Sequence, residues 1–489
     1  MTRAEDRPDV VVIGGGLAGI SAALDLAEAG RAVTLVEGRP WLGGATCSFL
    51  RRGLTIDNGQ HLFLRCCTAY RDLLARLGVT DSCVIQDRLE LAVLAPGGPD
   101  DPAQATLRRS ALPPPAHLAG ALARFRLLSV TERARVATAA LALRFADTGS
   151  GNDRSLASWL AGRGQHDRAR TMLWDWLCTA ALNAPPERAD FALAASTFRT
   201  TVLAGRDSTD IGVPSVPFSQ LHSAPAAALL GRLGVTIRLS TRAAAIEPGP
   251  AGGYQVTVVA GSAGPDGPSG AAEVMQSAGV VLAVPPGPAV GIASAVLPGA
   301  AARWSLLRTS PIVSLHVLYD RRVTRLPFAM VAGSPVRWVV DKTSAAGLYA
   351  GQYLAASVPA ADGYVDTPAA RLREEALPLL ERMFPEAAAA SVEDFFVTRE
   401  RRATIWHEPG VQRLRAVPDT GPPGLAVAGA WTEASWPDSM EGAVRSGRSA
   451  ARKLIADLAG GTTPAGEAVP AAAAVAAAVA AAMPSADRG

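Results

Sequence analysis

The chain is 489 residues long, about three domain-sized units, and can bury a large core. Its 49% hydrophobic and 19% charged content excludes a disordered chain, and a net charge of +3 is too small and too dispersed to point to nucleic acid. Nearly all the positive charge is Arg, with Lys only at 342 and 453, and Ala is abundant, a pattern set first by genomic base composition.

Cys47, Cys66, Cys67, Cys83 and Cys178 are odd in number and lack C-x-x-C spacing, so neither a disulfide framework nor a metal site is expected and a reducing cytosol fits. Before the first predicted strand there is no basic stretch leading into an apolar run and cleavage site, and no run of about 20 strongly apolar residues occurs. The expectation is a cytoplasmic protein, soluble or peripheral on the inner face of the cell membrane.

The first element is VVVIGGGLAGISAALDLAEAGRAVTLVEGRPWLGG, Val10 to Gly44. An apolar run leads into Gly14-x-Gly16-x-x-Gly19, then an amphipathic helix, a turn at Gly30 and a second apolar run ending in Glu37: a βαβ unit. Gly14 makes the tight turn, Gly16 lets backbone approach a pyrophosphate, and Gly19 lets the helix pack on the sheet. The helix start, with Leu17 and Ala18, faces the phosphates, and Glu37 bonds the ribose hydroxyls. The unit alone leaves NAD and FAD open. Its continuation through Gly38, Arg39, Gly43 and Gly44 resembles the flavoprotein amine oxidase and carotenoid desaturase superfamily, where this sequence wraps FAD. Ala45 and Thr46 stand where many members carry Arg or Lys.

Next comes strand, loop and helix, with Asp57-Asn58-Gly59-Gln60-His61 in the loop and a helix over Thr68 to Leu77. Ile56-Asp57-x-Gly59 matches a superfamily segment that lies near the flavin ring. The longer string DNGQH, with Phe63 and Cys66-Cys67, resembles the squalene-associated FAD-dependent enzymes of hopanoid synthesis, the hydroxysqualene dehydroxylases. Cys66 and Cys67 read as packing residues.

Leu107 to Phe145 opens Pro-rich and then carries Leu, Phe and Val at helical spacing, with Arg124, Arg126, Arg133, Arg135 and Arg144 interspersed. It reads as a helical layer over the cofactor, or as interfacial helices that set arginines on anionic headgroups. Asp153 to Leu182 is a predicted helix whose tryptophans belong to a core, and its end at Leu182-Asn183-Ala184-Pro185-Pro186 resembles the same family's substrate domain. A helix from Pro225 to Leu233 returns to the cofactor side.

Predicted strands follow at Val235 to Leu239, Ala243 to Glu247, Tyr254 to Val259 and from Gly279 into Pro285-Pro286. By resemblance, the backbone near Ala243 contacts adenine. Strands at Ile312 to Tyr319, Val336 to Val340 and Tyr349 to Val358, then a helix from Pro368 to Met383, suit an antiparallel sheet flanked by helices. The last motif runs from Leu425 through Gly429-Ala430-Trp431 to Met440-Glu441-Gly442-Ala443: an apolar strand, a glycine for close approach and a helix N-terminus aimed at an electron-rich group. Ala430 replaces the superfamily's usual Asp, leaving backbone amides to make that contact. An Ala/Pro-rich tail, disordered by composition, fills 459–489.

The expected fold is α/β: an FAD-binding Rossmann-like domain of the glutathione-reductase type with an inserted α+β substrate domain. The cofactor segments are 1–100, 205–300 and 410–458; the substrate segments are 101–204, helical and facing cofactor or membrane, and 301–409. The resemblance implies FAD, with contacts also from Gly59, Gln60 and His61, and reductive dehydroxylation of hydroxysqualene, an apolar C30 isoprenoid, to squalene. No second nucleotide motif is found, so the electron donor is unidentified. Loss of hydroxide from an allylic carbon needs an acid, a dry channel and a negative or π-rich face. His61 or Asp57 is the expected acid, with Glu433 and Asp438 behind them, and Trp431 or Trp436 lines the cation region. The alternatives are a desaturase or amine oxidase on the same scaffold, and a non-catalytic lipid- or membrane-binding flavoprotein.

Overall fold

The apolar runs of the cofactor segments assemble into one five-stranded sheet, ordered Thr236–Arg238, Val33–Val36, Val10–Ile13, Gly279–Leu282, Leu425–Val427, all neighbours parallel. The computed structural model describes residues 8–96, 104–149, 153–261, 270–417, 420–432 and 435–460. Glu433 and the tail from residue 461 lie outside them.

Parallel strands covered on both faces are apolar on both, and the alternation along Val10–Ile13 feeds two cores. Val10 and Val12 pack with helices Leu17–Glu28 and Met440–Ala459. Val11 and Ile13 pack against Ala243, Ile246, Val256 and Val258 of a three-stranded antiparallel sheet, Thr241–Pro248, Tyr254–Ala260 and Ala272–Ser277. The two helices cross closely: a Cβ on Gly447 would lie 2.1 Å from the carbonyl oxygen of Ala18.

The second body is a seven-stranded sheet ordered Val392–Ile405, Thr309–Tyr319, Gln352–Pro359, Trp338–Asp341, Phe328–Val331, Glu90–Leu94, Gln104–Arg108. Helix Ala369–Met383 covers one face, where Ala92 and Leu94 meet Leu372 and Leu380. The other face, with Leu91 and Val93, meets a helical layer that includes Leu156–Ala161, Asp175–Leu182 and Phe191–Phe198. The predicted helix over 153–182 is interrupted around residues 162–166, and its tryptophans are core: Trp159 stacks on Phe191 at 5.1 Å. Asn183, at φ 48°, ties this layer to the sheet by donating to Thr404 and accepting from the Ala360 amide.

The chain enters the second sheet at Glu90, ahead of the expected segment boundary at 100, through a buried ion cluster. Asp210, fully buried, accepts from Arg109 Nε at 2.6 Å, Arg65 Nε at 3.1 Å and the Leu89 amide at 2.8 Å. Burial pushes this carboxyl up, and Arg109, the Leu89 amide and Arg65 more than offset it, leaving it below the usual carboxylate range.

Candidate active site

The nucleotide end follows from the first turn. Gly14 sits at φ 107°, and a Cβ there would lie 2.4 Å from the Ala283 carbonyl oxygen. One on Gly19 would lie 1.8 Å from that of Gly14. Gly16 differs: its imagined Cβ meets nothing nearer than Gly44 Cα at 3.9 Å, so no protein atom requires glycine there. An open position between Gly16 and Gly44 is a cradle a side chain would fill, which suits a pyrophosphate. Glu37, just past the second strand, accepts from the Gly15 amide at 2.6 Å on Oε2 and from the Arg39 amide at 2.8 Å on Oε1. Each oxygen keeps a lone pair for a ribose hydroxyl. Gly38 lies against Arg242, Arg39 donates to the Gly44 carbonyl at 2.7 Å, and Gly43 donates to that of Gly15 at 2.8 Å. Leu17, Ala18 and Ala243 are buried; Ala45 is exposed and its carbonyl accepts from Asn58.

Residues 57–61 sit where the cofactor domain meets the second sheet. Asp57 is buried, accepts from Ser48 Oγ at 2.7 Å and the Phe218 amide at 3.0 Å, and pairs with Lys342 Nζ at 2.8 Å. Lys342 follows the strand Trp338–Asp341 and lies 5.5 Å from the centre of the Phe218 ring. On the same ring, His61 packs at 5.2 Å. Burial drives its imidazole down to about 4, with Asp57 opposing and Lys342 reinforcing the shift. Both amide atoms of Gln60 are buried without a protein partner. A buried amide without a protein partner is available to a bound group, and a Cβ on Gly59 beside it would lie 3.5 Å from His61 Nε2.

The second sheet holds this loop from its other strands too. Thr398 Oγ1 donates to the Asn58 carbonyl at 3.1 Å and contacts His316 Nε2 at 3.0 Å, while His316 Nδ1 reaches Tyr353 Oη at 2.6 Å. Glu400 accepts from Asn58 Nδ2 at 3.3 Å. Sequence reasoning missed this grip. Its one readable signal was Lys342, a lysine in a chain that uses arginine almost everywhere else.

At the C-terminal motif, Gly429, at φ 140°, donates to Ser446 Oγ, and Ala430 and Trp431 give their carbonyls to Arg415. The Trp431 indole donates to the Val284 carbonyl at 2.9 Å and packs on Trp304 at 5.2 Å, inside the cofactor-domain core. Trp436 carries the Arg445 guanidinium 5.0 Å from its ring centre. Ser439 caps helix Met440–Ala459 by accepting from the Gly442 amide, with Ala443 in the first turn. Glu441 turns away from the helix start: its oxygens accept from the Ala69 and Tyr70 amides at 3.2 and 2.8 Å and pair with Arg445. It caps the helix Thr68–Arg76, so its carboxylate does not lie over the amides at the start of its own helix. Asp438 accepts from the Ile405 amide at 2.9 Å; burial raises its carboxyl to about 6 against the Ile405 amide and Arg415.

Against this geometry stand the comparisons. The model of the family described as "Flavin containing amine oxidoreductase" matches residues 17–455. The chain belongs to that family. It is 30% identical over 465 residues to hydroxysqualene dehydroxylase of Sinorhizobium fredii, covering 92% of this chain and 99% of that one. To the enzyme of the same name from Rhodopseudomonas palustris it is 28% identical, covering 91% and 98%. Among solved structures, cyclohexylamine oxidase from Brevibacterium oxydans superposes with a TM-score of 0.68 at 19% identity, over 93% of this chain and all of that one.

This member of the family is therefore an FAD-dependent oxidoreductase with an FAD-binding Rossmann-like fold and an inserted substrate domain. The residues fit FAD at both ends, through the open cradle at Gly16 and the unpartnered amide of Gln60. No group of three or more His, Cys, Asp or Glu among the described residues could hold a metal, and no described helix is long and apolar enough to cross a membrane.

Proposed function

We propose that the protein reduces hydroxysqualene to squalene, with loss of water, in hopanoid synthesis. The observation that carries the reading is the match along nearly the whole chain to two hydroxysqualene dehydroxylases, through substrate segments as well as cofactor segments. Reduced FAD, when bound, supplies the hydride that ends on the allylic carbon. The chain must protonate the leaving oxygen, balance the allylic cation and keep water out.

The group Asp57, His61 and Lys342 around Phe218 has the residue types for this. His61, held near 4, is neutral at pH 7 and serves as a hydrogen-bond donor that orients the hydroxyl. Lys342 brings the ammonium proton to the departing oxygen, and Asp57, released from the ion pair, is the negative charge beside the cation. Trp431 is a positioning residue that holds Val284 next to the first turn. The reducing equivalents come from a donor outside the chain.

The test is anaerobic incubation of the prereduced protein with hydroxysqualene, scored for squalene and flavin reoxidation together. Equimolar appearance of both is expected. Reoxidation without squalene, or desaturation of a carotenoid precursor by the oxidised protein instead, overturns the assignment.

A further inference from the structure

Helix Val130–Arg144 has two apolar faces. Val136, Ala139 and Leu143 are buried and form the inner one. Val130, Ala134, Ala137 and Leu141, continued by Phe145, recur at four- and three-residue steps on the opposite side, and all are exposed. Val130 is 74% exposed and Phe145 77%. A solvated helix face ordinarily carries charge where these side chains stand, and a stripe of this kind marks an interaction surface.

The charge around the stripe identifies the partner. Arg126, Arg135 and Arg144 are exposed beside it. The stretch also holds two acids, Glu132, which accepts from the Ser129 amide in a capping box, and Asp147, which accepts from the Gly149 amide, and the exposed arginines outnumber them. At the C-terminal end of the helix lies an open, shallow depression, not an enclosed pocket, lined by Arg144, Arg199, Thr200, Leu203 and Ala204. Arg199 anchors the helix end there by donating to the Leu143 and Ala146 carbonyls, so the stripe is held on a fixed support. A protein partner would be matched by both charges or by a shaped pocket. A row of apolar side chains flanked by arginines along one helix instead matches the boundary of an anionic bilayer.

We propose that helix Val130–Arg144 lies on the surface of a bilayer containing anionic phospholipid, with Val130, Leu141 and Phe145 in the acyl boundary and Arg126, Arg135 and Arg144 at the headgroup phosphates. The inference rests on the exposed helix and is independent of the substrate assignment.

Co-sedimentation of the full-length flavoprotein with vesicles of phosphatidylglycerol mixed with phosphatidylcholine tests it. Binding is expected, with loss in high salt and little binding to pure phosphatidylcholine. Arg126→Gln, Arg135→Gln and Arg144→Gln each weaken it about fivefold. The triple change Val130→Ser, Leu141→Ser, Phe145→Ser abolishes it while the thermal midpoint and flavin spectrum stay as in the parent, because these side chains support no core. Unchanged vesicle binding by that folded triple variant overturns the proposal. So does absence of vesicle binding in the parent, including the case where ultracentrifugation shows a dimer that the same triple variant dissolves. None of these readouts requires turnover.

Discussion

The ion pair between Asp57 and Lys342 joins two parts of the chain that no local pattern relates. Both side chains are nearly inaccessible, at 1% and 8%, so neither charge can be solvated if its partner is lost. Lys342→Met is expected to destabilise the protein by about 3–5 kcal/mol, the usual cost of an uncompensated buried charge. The double change with Asp57→Asn is expected to recover most of that. Urea denaturation of the single and double variants measures it; equal losses in both would mean that the pair does not carry the energy. The same pair explains why Asp57 was legible in the sequence as a residue of interest but not in its role. A carboxylate next to a glycine turn looks like a free acid until the lysine that neutralises it, from a strand far along the chain, is placed beside it.

Among the elements, the opening strand, turn and helix separate two glycines that look equivalent in the motif. Gly19 has no room for a Cβ, which would sit on the Gly14 carbonyl, whereas Gly16 has open space. Gly19→Ala is therefore expected to disrupt the fold itself, with loss of soluble protein or a strongly lowered thermal midpoint. Gly16→Ala should leave the FAD-free protein as stable as the parent but abolish the stabilisation that added FAD provides, which reaches about 2.7 kcal/mol at a hundredfold excess over Kd. Thermal unfolding with and without FAD distinguishes the two; a Gly16→Ala protein that FAD still stabilises fully would remove the pyrophosphate from this position. Elements with a strong apolar run were readable in advance: the predicted strand over 312–319 is observed at Thr309–Tyr319, and the helix over 368–383 at Ala369–Met383. Val392–Ile405 was not read, because a half-buried strand with the sequence VEDFFVTRERRATI offers charges at many positions where a core strand would be apolar. The hairpin of Glu90–Leu94 and Gln104–Arg108 was missed for a related reason: its membership in the second sheet depends on long-range pairing with Phe328–Val331.

For the whole molecule, the buried histidines set the response to pH. Burial lowers His61 to about 4 and His222, His316 and His407 to about 3. In the unfolded chain each titrates near 6.5, so between that value and its folded one the unfolded state binds more protons and stability falls as pH falls. The slope is about 1.4 kcal/mol per pH unit for each imidazole inside its window. Asp438, raised to about 6, acts in the opposite sense, as its contribution is present at low pH and lost as pH rises through 6; Asp175 and Asp190, also raised by burial, lean the same way. The imidazole shifts are larger, so the net expectation is a steep loss of stability from pH 6.5 down to pH 4. Denaturation midpoints measured across that range check it, and a flat profile would contradict the burial of these rings.

What the chain specified by itself was everything that short-range chemistry controls. The turn at Gly14 to Gly19, the acid at the end of the next strand, the apolar strands and the helix starting at Met440 are each encoded within a few residues, since backbone conformation and hydrophobic period are local properties. Tertiary structure alone decided which side chains those elements bring together. It matched Lys342 to Asp57, set Thr398 and Glu400 on the DNGQH loop, and sent the Glu441 carboxylate to the amides of a neighbouring helix. It also turned the second apolar face of Val130–Arg144 outward. These are contacts between residues hundreds of positions apart, or questions of which face meets solvent, and only the packing of whole layers against one another settles them.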